Sequence, residues 1–180
     1  MKHKGSQRIE TERLILRPLT LNDAEDMFNN WANNENVCKF LTWPAYTDVN
    51  EVKKTISKWV EEYEDNRRYH WGIELKEIGQ VIGTIRGGII KEEIGDIEVG
   101  YCIGEEYWNQ GIVTEAFKAL IDYFFYEIGA NRISANHDVK NPASGKVMRK
   151  CGLVHEGTKK KGGYNQQGVC DIAIYALVKE

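Results

Sequence analysis

The chain has 180 residues, of which 28% are charged and 42% are hydrophobic, and its formal net charge is -3 at pH 7. This length fits one domain that buries roughly 70% of the surface of its unfolded chain. We therefore predict a single domain over residues 1–180, with a flexible tail at residues 1–8. The slightly acidic balance argues against direct nucleic-acid binding, so we expect the partners to be small molecules or proteins.

The cysteines and the start of the chain give no sign of a disulfide, a metal site or a membrane segment. Four cysteines are scattered without a Cys-x-x-Cys pair, and the four histidines do not cluster with them, so we expect free thiols and no metal. The first seven residues are polar, and no run approaches the ~20 apolar residues of a membrane span. These features predict a cytoplasmic protein, and they leave a monomer and a homodimer equally open.

The first half of the chain predicts one strand, two helices and three further strands. Residues 12–17 combine polar and apolar side chains and end before Pro18, which is typical of a strand at or near a sheet edge. Two pairs spaced as in a capping box predict the starts of helices, namely Thr20 with Asp23 and Asp48 with Glu51. The first helical pattern breaks over residues 29–36. Strand periodicity then predicts an antiparallel meander over residues 69–75, 81–90 and 97–103.

The second half predicts a long helix, a strand, a short helix and two strands. Apolar side chains recur at helical spacing from Val113 to Ile128, ahead of Gly129. The remaining elements are expected at residues 132–137, 143–150, 153 onward and 170–178. Residues 161–168 are rich in turn formers and predict an exposed loop. The order favours an α/β (α+β) sandwich around one mixed, mostly antiparallel sheet of about seven strands, flanked by about four helices.

The junction between the strand ending near Ile103 and the helix after Gly111 has the features of an anion site. Gly111 lets the backbone approach a ligand closely, and the first turn of the helix leaves N–H groups without intrahelical partners. Those donors and the helix dipole favour a pyrophosphate. The alternative is that Gly111 only shapes a tight turn between strand and helix.

Three segments, in order, resemble one family. Residues 107–116, YWNQGIVTEA, are similar to the acetyl-coenzyme A pyrophosphate loop of the GNAT N-acetyltransferases, in particular of the branch that contains the bacterial ribosomal-protein N-terminal acetyltransferases. Residues 141–153, NPASGKVMRKCGL, resemble that branch's second coenzyme segment, and the resemblance begins at residues 11–18, TERLILRP. The family usually has glycine where Asn109 stands and a small residue where Val113 stands.

The resemblance implies a GNAT fold with acetyl-coenzyme A as cosubstrate and no metal. In that family the strands matching residues 97–103 and 132–137 splay apart, and the pantetheine arm of the coenzyme inserts between them. The coenzyme contacts implied for this chain are Val99, Tyr101, Ile103, Trp108, Asn109, Gln110, Gly111, Ile112, Val113, Thr114, Asn136, Asn141 and Ser144. The alternative role of Asn141 is a plain helix cap, and the two roles can coexist.

Acetyl transfer to an amine needs a base for the amine. A lysine-like amine has a pKa near ~10.4 and an α-amino group near ~7.7–8.0, so the former especially needs help to become nucleophilic at neutral pH. Glu98, on the strand that resembles the coenzyme-binding one, is the leading candidate for the catalytic base. The alternatives are that Glu98 is a solvated strand carboxylate, or that His137 or Asp138 is the base.

The departing thiolate needs a proton or a hydrogen-bond donor. Many GNAT enzymes carry a tyrosine for this purpose at the position of Met148. Because this chain has methionine there, Ser144 becomes the candidate donor. The resemblance implies that its hydroxyl lies near the coenzyme sulfur, as in the ribosomal-protein branch. The alternative is that Ser144 merely caps its helix.

Aromatic side chains in or beside irregular segments often line pockets, and we predict an acceptor site from Trp31, Phe40, Trp43 and Tyr164. The sequence thus predicts an acetyl-CoA-dependent N-acetyltransferase in which a primary amine attacks the thioester directly. The acceptor is either a protein N-terminus or a small molecule such as a polyamine, an amino sugar or an antibiotic. A non-catalytic sensor of acetyl-coenzyme A is the alternative, motivated by Met148, Asn109 and Val113.

Overall fold

An eight-stranded sheet forms the centre of the domain in the computed structural model, which describes residues 1–180. Its strands are β1 (Ile9–Glu10), β2 (Leu14–Arg17), β3 (Tyr69–Leu75), β4 (Gln80–Lys91), β5 (Asp96–Ile103), β6 (Arg132–Asp138), β7 (Val154–Asn165) and β8 (Gly168–Val178). They lie in the order β1-β2-β3-β4-β5-β6-β8-β7, and only β5 and β6 pair in parallel. The predicted mixed, mostly antiparallel sheet is confirmed, and the two-residue β1 adds one strand to the expected number.

Five α-helices flank the sheet, namely α1 (Ala24–Met27), α2 (Glu35–Cys38), α3 (Val49–Glu62), α4 (Ile112–Asp122) and α5 (Pro142–Lys150). A 3₁₀ turn precedes α1, and π-helical stretches over Phe28–Ala32 and Tyr123–Ile128 continue α1 and α4. The expected break at residue 29 is therefore wrong, since the chain stays helical to Ala32. This continuation keeps Trp31 and Ala32 fully buried. None of the helices combines the length and apolar character needed to cross a membrane.

The sheet separates two hydrophobic clusters because successive side chains of a strand point to opposite faces. On one face, Phe117 and Phe124 from α4 and its continuation pack with Trp71 and Ile85. On the other face, Trp31, Val52 and Ile56 pack against Val81 near the start of β4. The two faces are named after the sites that the sequence analysis predicts on them: the face that carries α1 and α3 is called the acceptor face below, and the face that carries α4 and α5 the coenzyme face.

The strands β7 and β8 form a longer hairpin than the sequence indicated. β7 continues to Asn165 and β8 begins at Gly168, so the exposed loop expected over residues 161–168 is wrong. The ladder is irregular between Lys159 and Gly163, where Lys161 has a left-handed φ of 49°. The Asp171 carboxylate accepts a hydrogen bond from the Lys161 N–H at 2.8 Å. A bulge inside the strand thus absorbs residues that are typical of turns.

The first eight residues, expected to form a flexible tail, run along the domain. The Lys2 N–H donates to the Ile128 carbonyl at 2.7 Å, and the Gly5 N–H donates to the Asn66 carbonyl at 2.8 Å. Nδ1 of His3 lies 2.6 Å from the Tyr69 hydroxyl. These bonds join the start of the chain to β3 and to the end of the helical segment after α4.

Candidate active site

The strands β5 and β6 are hydrogen-bonded only where they begin. Their ladder pairs Asp96 with Arg132 and ends at Glu98 with Ser134. Beyond that point β5 remains paired with β4, and β6 with β8. The edge of β5 that faces β6 therefore presents backbone N–H and C=O groups without a strand partner, which can receive an extended ligand. This divergence is the splay that the resemblance implied.

The turn between β5 and α4 contains two residues with a left-handed backbone. Gly111 has φ 76° and is the N-cap of α4, whose first turn receives no side-chain capping bond. The N–H groups of Ile112, Val113 and Thr114 are therefore left for a ligand at an exposed turn. Asn109 has φ 59°. Asparagine tolerates this region better than most other non-glycine residues, so it can replace the glycine usual in the family without changing the turn.

Arg13, to which the sequence analysis assigned no role, braces this turn from the start of β2. Its Nε donates to Glu115 Oε2 at 2.7 Å, and its Nη1 donates to the Gln110 carbonyl at 3.0 Å. Its Nη2 lies 3.6 Å from the position that a Cβ on Gly111 would occupy. The guanidinium thus fixes the turn and adds positive charge beside the helix N-terminus. The sequence feature that could have indicated this role is the position of Arg13 in the TERLILRP segment, where the family resemblance begins.

The coenzyme face of the divergence holds a hydroxyl pair. The Tyr101 hydroxyl on β5 lies 2.9 Å from Ser144 Oγ and donates to the Ser144 carbonyl at 3.0 Å. The phenol has one proton, and it donates this proton to the carbonyl, which can only accept. The serine hydroxyl is therefore the donor in its bond to the phenol oxygen. Burial raises the pKa of Tyr101, while the Ser144 hydrogen bond opposes that rise. The phenol is therefore protonated at neutral pH.

The capping roles considered for Ser144 and Asn141 are not seen. Ser144 directs its hydroxyl to Tyr101, outside its own helix. Asn141 is the N-cap of α5, yet its side chain makes no capping bond. Met148 is buried with 1% exposure, and its thioether has no proton to give. At the N-terminal end of α5, Asn141 and Ser144 thus have polar side chains that do not cap the helix, and both are partly exposed.

The acceptor face holds an amide and carboxylate pair. Asn136 Nδ2 on β6 donates to Glu98 Oε2 on β5 at 2.8 Å, across the point where the strands part. Both residues are partly exposed. Asn136, which the resemblance placed at the coenzyme, orients the candidate base in this structure. The bond holds one carboxylate oxygen of Glu98 and leaves Oε1 for a ligand.

The two rival bases are engaged in other contacts. The His137 Nδ1 bonds the Asp138 carbonyl at 2.7 Å, so this nitrogen carries the proton. The His137 Nε2 is buried without a partner, and it lies 2.6 Å from the position that a Cβ on Gly145 would occupy. The buried Asp138 carboxylate accepts from Asn165 Nδ2 and the Lys140 N–H, each at 2.8 Å. Among the three predicted candidates, Glu98 is therefore the one with a partly exposed carboxylate oxygen, Oε1, that makes no hydrogen bond.

The four predicted aromatic residues separate into two groups. Trp31 is fully buried in the acceptor-face cluster, so its predicted role in lining a pocket is not supported. Phe40 and Trp43 are partly exposed, and Tyr164 is 63% exposed. The Gln166 N–H donates to the Leu41 carbonyl at 3.2 Å, which joins the tip of the β7–β8 hairpin to the segment of Phe40 and Trp43.

No group of three or more His, Cys, Asp or Glu side chains is arranged to hold a metal ion.

Sequence comparison relates the whole chain to acetyltransferases. Residues 13–154 match the family described as an acetyltransferase (GNAT) domain. The uncharacterized N-acetyltransferase YoaA of Bacillus subtilis (strain 168) is 30% identical over 171 residues, which cover 95% of this chain and 96% of the relative. The ribosomal-protein-serine acetyltransferase of Escherichia coli (strain K12) is 25% identical over 170 residues, which cover 93% of this chain and 94% of that protein.

Solved structures share the fold. A GNAT-family acetyltransferase from Bacillus anthracis matches with a TM-score of 0.83 at 24% identity, over 96% of this chain and 98% of that one. The microcin C7 self-immunity acetyltransferase MccE, solved in complex with acetyl-CoA and AMP, matches with a TM-score of 0.84 at 23% identity, over 94% of each chain. The match to the family model and the 30% identity to YoaA show that the chain is an acyltransferase and belongs to the GNAT acetyltransferase family.

Proposed function

We propose that this protein transfers an acetyl group from acetyl-coenzyme A to the N-terminal α-amine of a protein, by direct attack of the amine on the thioester. The observation that carries the proposal is the placement of two hydrogen-bonded pairs where β5 and β6 part. Glu98 with Asn136 lies on the acceptor face, and Tyr101 with Ser144 lies on the coenzyme face. The relative from Escherichia coli that is named for ribosomal-protein-serine acetylation supports a protein acceptor.

The chain offers two adjoining regions for the coenzyme. The uncapped first turn of α4 and the Arg13 guanidinium supply donors and positive charge for the pyrophosphate. The free edge of β5 from Val99 to Ile103 supplies backbone groups for the amides of the pantetheine arm. An extended arm that follows this edge leads from the turn toward the place where Tyr101 meets Ser144.

Glu98 activates the amine in this proposal. An α-amino group has a pKa of ~7.7–8.0, so a fraction of the amine molecules is already neutral at pH 7. For the protonated fraction, a positioned carboxylate can take the proton from the amine nitrogen. Asn136 holds Oε2, and Oε1 accepts the proton as the nitrogen–carbon bond forms. The base thus approaches from the acceptor face, while the thioester lies between the strands.

Ser144 stabilises the leaving group. When the carbon–sulfur bond breaks, the serine hydroxyl turns from the phenol oxygen and donates to the thiolate, which afterwards takes a proton from solvent. Tyr101 keeps its bond to the Ser144 carbonyl and holds the first turn of α5 in place. A thiol has a pKa near ~8.5, so this donor has a modest task at neutral pH.

Release of free thiol from acetyl-coenzyme A tests the proposal. The assay uses a panel of peptides with free N-termini and a panel of polyamines and amino sugars, and mass spectrometry locates the acetyl group. We expect thiol release that depends on a peptide and acetylation at its α-amine. Binding of acetyl-coenzyme A without thiol release for any amine would indicate a sensor instead of an enzyme.

A further inference from the structure

Arg86 is an exposed arginine near the middle of the sheet, on the acceptor face of β4. It takes part in none of the ion pairs or side-chain hydrogen bonds of the chain. Every other arginine bonds a carboxylate or a tyrosine hydroxyl, namely Arg8, Arg13, Arg17, Arg67, Arg68, Arg132 and Arg149. Arg86 therefore has an unused guanidinium.

The guanidinium lies beside the candidate base. Arg86 stands opposite Gly100 of β5, and Gly88 stands opposite Glu98. A Cβ on Gly100 would lie 3.4 Å from Arg86 Nε and 3.8 Å from Nη2, so the arginine side chain extends across β5 above this glycine. A Cβ on Gly88 would meet nothing nearer than the Glu98 carbonyl at 3.9 Å. Two glycines thus leave a trough with Arg86 and Glu98 along it.

The neighbour of Arg86 on β3 adds no competing charge. His70 pairs in register with Arg86, and Trp59 of α3 contacts the His70 ring edge-on, with centroids 4.3 Å apart. Burial, and then the charge of Arg86, lowers the pKa of His70 to about 3. His70 is therefore neutral at pH 7 and, with Trp59, forms a wall of the trough.

Arg86 and Glu98 do not form an ion pair, although they occupy diagonal positions on neighbouring strands. The Cα atoms of diagonal positions of this kind are ~7–8 Å apart, and the two side chains extend from them over the same face of the sheet. A ligand that carries both an amine and an anionic group can therefore bond both side chains at once. In a peptide, one residue spans ~3.3–3.6 Å, so an acidic side chain immediately after the N-terminal residue reaches this distance from the α-amine.

We propose that this trough selects protein N-termini with an acidic second residue, whose carboxylate bonds the Arg86 guanidinium while the α-amine approaches Glu98. The inference rests on the function proposed above and names the class of acceptor. Arginine presents a planar fork of donors that matches a carboxylate, which a lysine at this position could not do in the same way.

Peptides that differ only at the second residue test the inference. They carry Glu, Gln or Lys after an N-terminal Ser, and kcat/KM is measured for the parent, Arg86→Gln and Arg86→Glu. We expect the parent to prefer the Glu peptide over the Gln peptide by roughly tenfold or more, as for a charge-assisted hydrogen bond. Arg86→Gln should bring this ratio close to one, and Arg86→Glu should favour the Lys peptide. Arg8→Gln, at an exposed arginine far from the trough, should keep the parental ratio.

The ratio between peptides is independent of the fraction of active enzyme, so a less stable variant still gives a decisive result. Equal rates for the Glu and Gln peptides in the parent, or an unchanged ratio in Arg86→Gln, would overturn the inference and leave the N-terminal acetyltransferase function standing. Acetylation of small acidic amines such as glutamate, with no peptide accepted, would overturn the protein acceptor. If Arg86→Gln then lost the acetylation of these small acidic amines, Arg86 would still be assigned to the anionic group of the acceptor.

Discussion

The hydroxyl oxygens of Tyr101 and Ser144 lie 2.9 Å apart and join β5 to the first turn of α5. Met148 occupies the position at which many GNAT enzymes are expected to carry a tyrosine, and it is buried and has no proton to give. Tyr101 supplies a phenol from strand β5 instead of from α5, at the free edge of that strand. In the proposed mechanism, this hydroxyl pair takes the place of the missing tyrosine.

Ser144→Ala should lower turnover by roughly tenfold to a hundredfold, equivalent to about 1.4–2.7 kcal/mol of transition-state stabilisation. Coenzyme affinity, measured by calorimetry, should change by a few fold at most. The melting temperature should barely fall, because Ser144 does not cap its helix and Tyr101 keeps the Ser144 carbonyl as an acceptor. Tyr101→Phe combined with Ser144→Ala should be little worse than Ser144→Ala, since the two hydroxyls act together. Parental turnover in Ser144→Ala would leave protonation of the thiolate to solvent.

Glu98→Gln should lower turnover most near neutral pH and partly recover it at alkaline pH, where the amine loses its proton without help. Glutamine has the same shape and can still accept a hydrogen bond from Asn136, so the fold and coenzyme affinity should be retained. The measurement is kcat/KM against pH for both proteins with one peptide. Asn136→Ala should show a smaller loss, because the carboxylate remains but is no longer oriented. An unaltered pH profile in Glu98→Gln would move the base to His137, Asp138 or a water.

Regular elements could be predicted from the sequence because their side chains repeat with one period. Strand β3 has the predicted bounds, and α3 begins directly after the predicted cap, Asp48. The β7–β8 hairpin could not be predicted in the same way, since Lys161 takes a left-handed conformation inside a strand and residues 161–168 are typical of a turn. Strand pairing across the sheet outweighs that local preference.

The candidate site was predictable in its parts more than in its connections. Glu98, Ser144 and the turn at Gly111 could be predicted because the motifs that resemble the family include or adjoin them. Their partners could not, since the bond of Glu98 to Asn136 depends on the parallel register of β5 and β6, and the bracing by Arg13 depends on the position of β2 beside α4. Trp31 shows the opposite case, because an aromatic residue on a helix fits a pocket and a core equally well until its burial is known.

Gly111→Trp should abolish measurable coenzyme binding, since φ at Gly111 is 76° and the indole would cover the free N–H groups of α4. A matched pair of variants at Asn109 separates backbone strain from loss of the side chain. Asn109→Gly should bind the coenzyme within a few fold of the parent, whereas Asn109→Val, with a β-branched residue at φ 59°, should bind more weakly. Calorimetric titration with acetyl-coenzyme A gives all three affinities. Parental affinity in Gly111→Trp would place the pyrophosphate elsewhere.

Arg13→Ala should weaken coenzyme binding by about tenfold or more, because it removes both the bond to the Gln110 carbonyl and a positive charge beside the turn. Arg13→Lys keeps the charge but cannot bond Glu115 and Gln110 simultaneously through a planar fork, so we expect an intermediate affinity. Raising the salt concentration should reduce the difference between Arg13→Lys and Arg13→Ala. Equal coenzyme affinity in the parent and Arg13→Ala would limit Arg13 to a structural role.

A bidentate ion pair fixes the start of α1 to the end of β2. Arg17 Nη1 and Nη2 lie 2.9 and 2.8 Å from the two carboxylate oxygens of Asp23, and the Thr20 N–H donates to Asp23 Oδ2 at 2.7 Å. Burial opposes ionisation of Asp23, but the bonds from Arg17 and Thr20 outweigh it, and the pKa of Asp23 is lowered. A carboxylate whose pKa is lower in the folded state stabilises the fold above its unfolded value, near ~3.9, and this contribution is lost as the pH falls through the folded value.

Asp23→Asn should therefore lower the free energy of unfolding by on the order of 2–3 kcal/mol at pH 7, because Arg17 loses one carboxylate and retains the other, Glu74, at 2.5 Å. Urea denaturation at pH 7 and at pH 3 gives the difference between the parent and the variant. We expect that difference to shrink at pH 3, since this pH lies below the unfolded value of ~3.9, and uptake of a proton by Asp23 in the unfolded chain then reduces the advantage of the parent over the variant. Asp122→Asn, at an exposed carboxylate on α4, is the matched control and should change the stability little at either pH. A difference for Asp23→Asn that is as large at pH 3 as at pH 7 would show that shape and hydrogen bonding, and not the charge of the carboxylate, hold α1 in place.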